Sequence, residues 1–145
     1  MCYRPFARAF VSAGLAEGGI LVVGLGVDLV EEGRVARSLE RWGDRLVAKL
    51  MDPEEASSLP PPGSERAWAL ALAIAAKEAT SKAIGTGWSR GVRWRDVVVA
   101  LGPPPAVHLR ARALQAARSL GSQGGAGLRL ERRGGLAMAE VRLLS

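Results

Sequence analysis

The apolar positions along the chain follow two different spacings, and the spacing assigns each element. Residues 20–27 are a β-branched run bounded by glycine and predict a strand. Over residues 34–51, Val35, Leu39, Trp42, Leu46 and Leu50 recur every three or four positions, which predicts one helix with a single apolar stripe. Beside that stripe run Arg34, Arg37, Arg41, Arg45 and Lys49 at the same spacing, a second and basic face. Three prolines make residues 59–63 a loop. Ser64 is placed to cap the next helix, Glu65 sits favourably in its first turn, and Gly85 supplies the stop after residue 84. Two short strands follow at 96–101 and 106–109, joined by a turn over 102–105. A helix over 110–120 ends at Gly121, and 124–127 is a flexible link. Strands over 128–131 and 136–143 close the chain as a hairpin, with Ala137, Ala139, Val141 and Leu143 on one face. The order mixes strands and helices without repeats, so the fold class is α+β.

Length and composition narrow the picture further. With 145 residues, 48% of them hydrophobic, the chain suits one packed domain. Residues 1–19 carry Arg4 and Arg8 without a clear period, and read as a flexible extension or the product of an upstream start codon. The domain proper is expected over 20–145. Charge or glycine interrupts every apolar run short of membrane-spanning length, so no membrane segment is expected. Cys2 is the one cysteine, which excludes an intrachain disulfide framework and suits a reducing cytoplasm. The net charge of +6 favours an anionic partner. Charge alone leaves nucleic acid, an acidic protein, a polyphosphate cofactor and anionic lipid open. Aromatics are only 5%, mostly isolated tryptophans, which argues against a stacking platform for single-stranded nucleic acid.

Two segments carry candidate chemistry. The first is Gly24-Leu25-Gly26-Val27-Asp28. A dinucleotide fingerprint needs a third glycine where Leu29 stands, and there is no phosphate loop of the Gly-Lys-Ser/Thr kind. What remains is Asp28 at the end of a buried strand, which alone would read as a turn or cap residue. The second is Lys77-Glu78-Ala79-Thr80-Ser81-Lys82, running on into Ala83-Ile84-Gly85-Thr86-Gly87. Glu78 and Lys82 share a helix face, where an ordinary surface ion pair is the plain reading. The surrounding helix is apolar nearly all round, however, so its charges need partners or a cleft. Small residues at 75, 76, 79 and 83 admit another backbone at close range. His108, the one histidine, lies on a predicted strand and reads as structural.

Taken together, these segments resemble a known family. Residues 24–31, Gly-Leu-Gly-Val-Asp-Leu-Val-Glu, followed by Arg34, look like the opening signature of holo-[acyl-carrier-protein] synthases. Residues 75–79, Ala-Ala-Lys-Glu-Ala, and 82–87, Lys-Ala-Ile-Gly-Thr-Gly, look like their second. Arg45 and Glu55 fall where the family has a basic residue and a glutamate. The resemblance implies a compact 4′-phosphopantetheinyl transferase fold, with a small mixed or antiparallel sheet packed on a long apolar helix. It also implies a homotrimer with active sites between subunits. The implied reaction moves 4′-phosphopantetheine from coenzyme A to a serine of an apo acyl carrier protein and releases 3′,5′-ADP. Asp28 and Glu78 would hold Mg²⁺, and Glu78 and Lys82 would be catalytic. Lys77, Lys82, Gly85, Thr86 and Arg132 would bind coenzyme A. Arg34 and Arg45 would receive the acidic carrier, and neither nucleic acid nor membrane is implied as a partner. The general base stays open between Glu78 and a metal-bound water. The sequence departs from the family at Ala73-Ile74, where Arg-Phe is usual, and at Arg132, where His is usual. Those departures motivate an alternative, a paralogue that binds coenzyme A or a carrier without turnover.

Overall fold

Glycine and alanine set how closely the two largest elements meet. Strand β1 (Val22–Glu31) lies against helix α4 (Ser64–Ala83). A Cβ on Gly24 would stand 2.2 Å from the Ala83 carbonyl oxygen, and one on Gly26 would stand 1.8 Å from that of Ala79. No side chain fits either space. The alternating glycines of the first motif therefore make a seat for a helix, and the small residues of α4 make the complementary surface.

The computed structural model describes residues 19–145, so most of the extension expected over 1–19, with Cys2, lies outside the described residues. After β1 the chain forms α1 (Glu32–Trp42), α2 (Asp44–Leu50) and a short α3 (Pro53–Ala56) before α4. A single 3-10 turn (Trp94–Asp96) leads into β2 (Val97–Ala100), β3 (Ala106–Leu109) and α5 (Ala111–Ser119). Strands β4 (Ala126–Arg133) and β5 (Leu136–Leu144) end the chain. The α+β class and the closing hairpin agree with the sequence reading. One sheet has the order β1-β5-β4, antiparallel throughout, and β2 pairs with β3 in a second, two-stranded sheet. Asp28 stands opposite Ala139, and Gly26 opposite Val141. The β4–β5 turn uses Gly134 and Gly135 at φ +55 and +77, the left-handed pair a two-residue hairpin needs.

The alternation along β5 puts Ala137, Ala139, Val141 and Leu143 on the buried face. They pack with Leu70, Ala75, Ala76 and Ala79 of α4 in one core, which also takes in Val35, Val47, Val97 and Val107. The opposite face of β1 is apolar and open, with Leu25, Val27 and Leu29 exposed by 59%, 50% and 53%. Among the described residues, no helix is long and apolar enough to cross a membrane.

Four local expectations change. The single helix over 34–51 is two helices, because Gly43 takes φ +52 and its N–H closes α1 on the Leu39 carbonyl at 2.8 Å. Ser64 is the first helical residue and not the cap; Gly63 takes the cap position without a side-chain bond. Asp96 belongs to the 3-10 turn and not to the strand, its carboxylate accepting from the Arg93 N–H at 3.0 Å. Strand β1 continues through Glu31, since β5 offers pairing partners that far. Asp28 is thus inside a strand and not on a turn.

Candidate functional site

The spacing of β1 and the pitch of α4 together decide which charges meet. Asp28 is two residues beyond Gly26 and so points to the same side of β1, toward α4. Lys82 reaches it: its Nζ lies 2.7 Å from Asp28 Oδ1 and donates to the Val27 carbonyl at 3.0 Å. The Lys82 side chain is half exposed, at 52%, while Asp28 is 20% exposed. This pair therefore lies in a wall open to solvent. One turn earlier on α4 is Glu78. It does not pair with Lys82, despite their spacing. Its Oε2 accepts the indole N–H of Trp88 at 3.1 Å, and Oε1 has no hydrogen bond among the described residues. Asp28 and Glu78 thus each keep one carboxylate oxygen, Oδ2 and Oε1, without a hydrogen bond among the described residues.

Lys77 precedes Glu78 in sequence but turns into the core. It is fully buried and ion-paired with Glu55 at 2.9 Å. It also donates to the Trp94 carbonyl at 3.1 Å and to the Val97 carbonyl. Both Glu55 oxygens are used, Oε2 accepting from the same ammonium at 3.1 Å and Oε1 also accepting the Val99 N–H at 3.2 Å. Burial pushes the Lys77 ammonium below the usual lysine range, and Glu55 partly restores it. With every ammonium hydrogen engaged inside the core, Lys77 has none for a ligand. The expectation that it binds coenzyme A is corrected on that ground: Lys77 ties α3, α4 and β2 together.

Gly85 (φ +77) and Thr86 follow α4 directly, in a turn where the Gly87 N–H bonds the Ser81 carbonyl at 3.1 Å. Both therefore lie at the Lys82 end of the helix. Arg132 lies at the other end. It forms a 2.8 Å ion pair with Glu65 and stacks its guanidinium 4.8 Å over Trp68. That pairing holds Glu65 below the usual carboxylate range and raises Arg132. Seventeen residues of helix at 1.5 Å each put roughly 25 Å between Glu65 and Lys82. The Arg132 guanidinium is thus engaged by Glu65 and Trp68 and makes no contact with Asp28 or Lys82. Arg34 and Arg45 are both exposed, on α1 and α2 respectively, either side of the Gly43 corner. His108 is exposed on β3, away from the cluster.

Sequence reasoning missed Trp88 and Trp94, whose rings stack at 4.1 Å between centroids. Two tryptophans after a glycine-rich turn were a visible signal. The contact of Trp88 with Glu78 was not, because it depends on how the chain reverses after α4.

Comparison with known proteins gives a consistent set of likenesses. The 4′-phosphopantetheinyl transferase superfamily matches residues 24–134. A holo-[acyl-carrier-protein] synthase of Acidithiobacillus ferrooxidans is 43% identical over 103 residues, covering 70% of this chain and 80% of that protein. One from Alkalilimnicola ehrlichii is 41% identical over 106 residues, covering 72% and 83%. Among solved structures, the Neisseria meningitidis holo-[acyl-carrier-protein] synthase superposes with TM-score 0.69 at 25% identity, covering 85% of this chain and 98% of that one. The Bacillus anthracis enzyme, described in complex with CoA (3′,5′-ADP), has TM-score 0.66 at 26% identity, covering 88% and 99%.

Proposed function

Since this chain belongs to the 4′-phosphopantetheinyl transferase superfamily, we propose that it acts as a holo-[acyl-carrier-protein] synthase. It transfers 4′-phosphopantetheine from coenzyme A to a serine of an apo acyl carrier protein and releases 3′,5′-ADP. The observation that carries this reading is the Asp28–Lys82 ion pair across the β1–α4 contact, open to solvent, with Glu78 one turn before Lys82 on α4 and the Gly85–Thr86 turn just after it.

The donor set fits a magnesium ion. Magnesium takes hard oxygen ligands, commonly one or two carboxylates completed by substrate phosphate and water. Asp28 already holds a cationic group, and Glu78 has an unused oxygen. Asp28 and Glu78 would therefore hold the ion. When bound, it would polarise phosphoryl oxygens at the pyrophosphate. Lys82 has a long flexible stem and a half-exposed ammonium, so it can leave Asp28 for the pyrophosphate and offset charge that develops on the leaving 3′,5′-ADP. The Gly85–Thr86 turn lets backbone approach the cofactor. The basic side chains of α1 and α2, Arg34 and Arg45 foremost, receive the acidic carrier. A coenzyme A-consuming reaction of this kind suits the cytoplasm.

The test incubates the full chain with coenzyme A, Mg²⁺ and an apo carrier protein, and weighs the carrier by mass spectrometry. The carrier should gain one phosphopantetheine. Asp28→Ala and Glu78→Ala should each drop conversion below detection while circular dichroism stays unchanged. Full conversion in excess chelator, or in either variant, overturns the metal assignment. No conversion by the wild type would leave the non-catalytic paralogue as the better reading.

A further inference from the structure

The Glu78 carboxylate is held by one side chain, that of Trp88. Its indole N–H donates to Oε2 at 3.1 Å. The indole is itself fixed. It stacks on Trp94 at 4.1 Å between centroids with only 20° between planes. Trp94 is fixed in turn, because its carbonyl accepts from the buried Lys77 ammonium, which is paired with Glu55. A continuous chain of contacts therefore runs from a buried ion pair through two stacked rings to one oxygen of Glu78. Every other link in it is engaged, and it ends on a carboxylate that keeps Oε1 unbonded.

A glutamate has three side-chain torsions, and an exposed one samples many rotamers. A single N–H on one oxygen removes most of that freedom and leaves the other oxygen presented. Partners of this outer kind orient ligating carboxylates, and their loss commonly costs 10- to 100-fold in metal affinity or activity. We infer that Trp88 is a positioning residue: its indole N–H holds Glu78 Oε2, so that Oε1 is presented to the divalent cation. This rests on the metal role given to Glu78 above. It adds a residue that acts through Glu78 and touches neither the cation nor the substrate.

The experiment separates the N–H from the ring. Trp88→Phe keeps an aromatic ring to stack on Trp94 and removes the donor. Incorporating 3-benzothienylalanine at position 88 keeps the size and shape of the indole and also lacks the N–H. Calorimetric titration of Mn²⁺ into the full-length protein, without substrate, gives the affinity directly. Both variants should bind Mn²⁺ about tenfold more weakly than wild type. The Mg²⁺ concentration for half-maximal turnover should rise by a similar factor, with the KM for the carrier unchanged. Melting temperature of the benzothienyl variant should match the wild type, since its packing is intact. Wild-type Mn²⁺ affinity in the benzothienyl variant overturns the proposal and reduces Trp88 to a packing residue. Glu78→Ala is the control for the parent reading: unchanged Mn²⁺ affinity there removes Glu78 from the metal site, and the role of Trp88 falls with it. A loss in Glu78→Ala without a loss in the benzothienyl variant refutes the positioning role alone.

Discussion

At position 77 a lysine does the work of a core cross-link, and its neighbour at 78 lies on an adjacent, less buried face of the same helix. The two differ because successive helical residues are turned by about 100°, so adjacent charges on a buried helix meet different neighbours. Lys77 meets Glu55 and two carbonyls inside the core, and Glu78 meets Trp88 beside solvent. Breaking a buried pair by removing one partner strands the other charge, at a cost of about 3–5 kcal/mol. Lys77→Met is expected to lose about that much in urea unfolding. In whatever fraction remains folded, the KM for coenzyme A should be unchanged. A normal unfolding midpoint with a raised KM for coenzyme A would return Lys77 to the cofactor site. The sequence made both charges conspicuous by placing them on an apolar helix. It did not say which was structural, because that depends on α3 and β2 arriving from elsewhere in the chain.

The helical segment after β1 turns a corner that its apolar spacing conceals. Val35, Leu39, Leu46 and the rest keep their interval across Gly43, so pattern alone reads one helix. The left-handed φ of Gly43 breaks the hydrogen-bond ladder without disturbing the interval. Arg34 and Arg45 therefore lie on α1 and α2 in turn, and not along one continuous face. Both remain exposed and basic, as the proposed carrier recognition requires. Attraction between such charges acts on association and is screened over roughly 8 Å at physiological salt. The Arg34→Glu, Arg45→Glu double variant should raise the KM for the carrier about tenfold at low salt and leave that for coenzyme A alone. Because the residues sit on separate helices, the two single changes should contribute additively. Added salt should weaken the wild type more than the double variant. Normal carrier kinetics in the double variant at low salt would make both residues plain solvated side chains.

For the molecule as a whole, the unanswered surface is the outer face of the three-stranded sheet. Leu25, Val27 and Leu29 project from an edge strand, each at least half exposed, with Ile20, Leu21 and Val22 extending the apolar surface along the chain. A contiguous apolar strip of that kind commonly marks an interface. Self-association as a homotrimer is the expectation carried over from the family resemblance. The same resemblance implies active sites shared between subunits. Val27→Glu places a charge in the centre of the strip. Sedimentation equilibrium should show trimers for the wild type and mainly monomers for the variant. A wild-type protein that is monomeric and fully active would remove the shared-site arrangement.

The sequence by itself determined the α+β class, the closing hairpin, the buried alanine-rich helix and the two motifs that identify the family. All of these depend on local spacing or on residue types at short range, which a linear reading preserves. Tertiary structure decided the rest. It made Gly24 and Gly26 a seat for α4, gave Asp28 to Lys82 and Glu78 to Trp88, and put Lys77 in the core. It also tied Arg132 to Glu65 at the far end of the helix. Each of these joins residues distant in sequence, or sorts neighbours by the direction of a side chain. Such pairings are set by how whole elements pack, and hydrophobic period records only which face is buried, not what it is buried against.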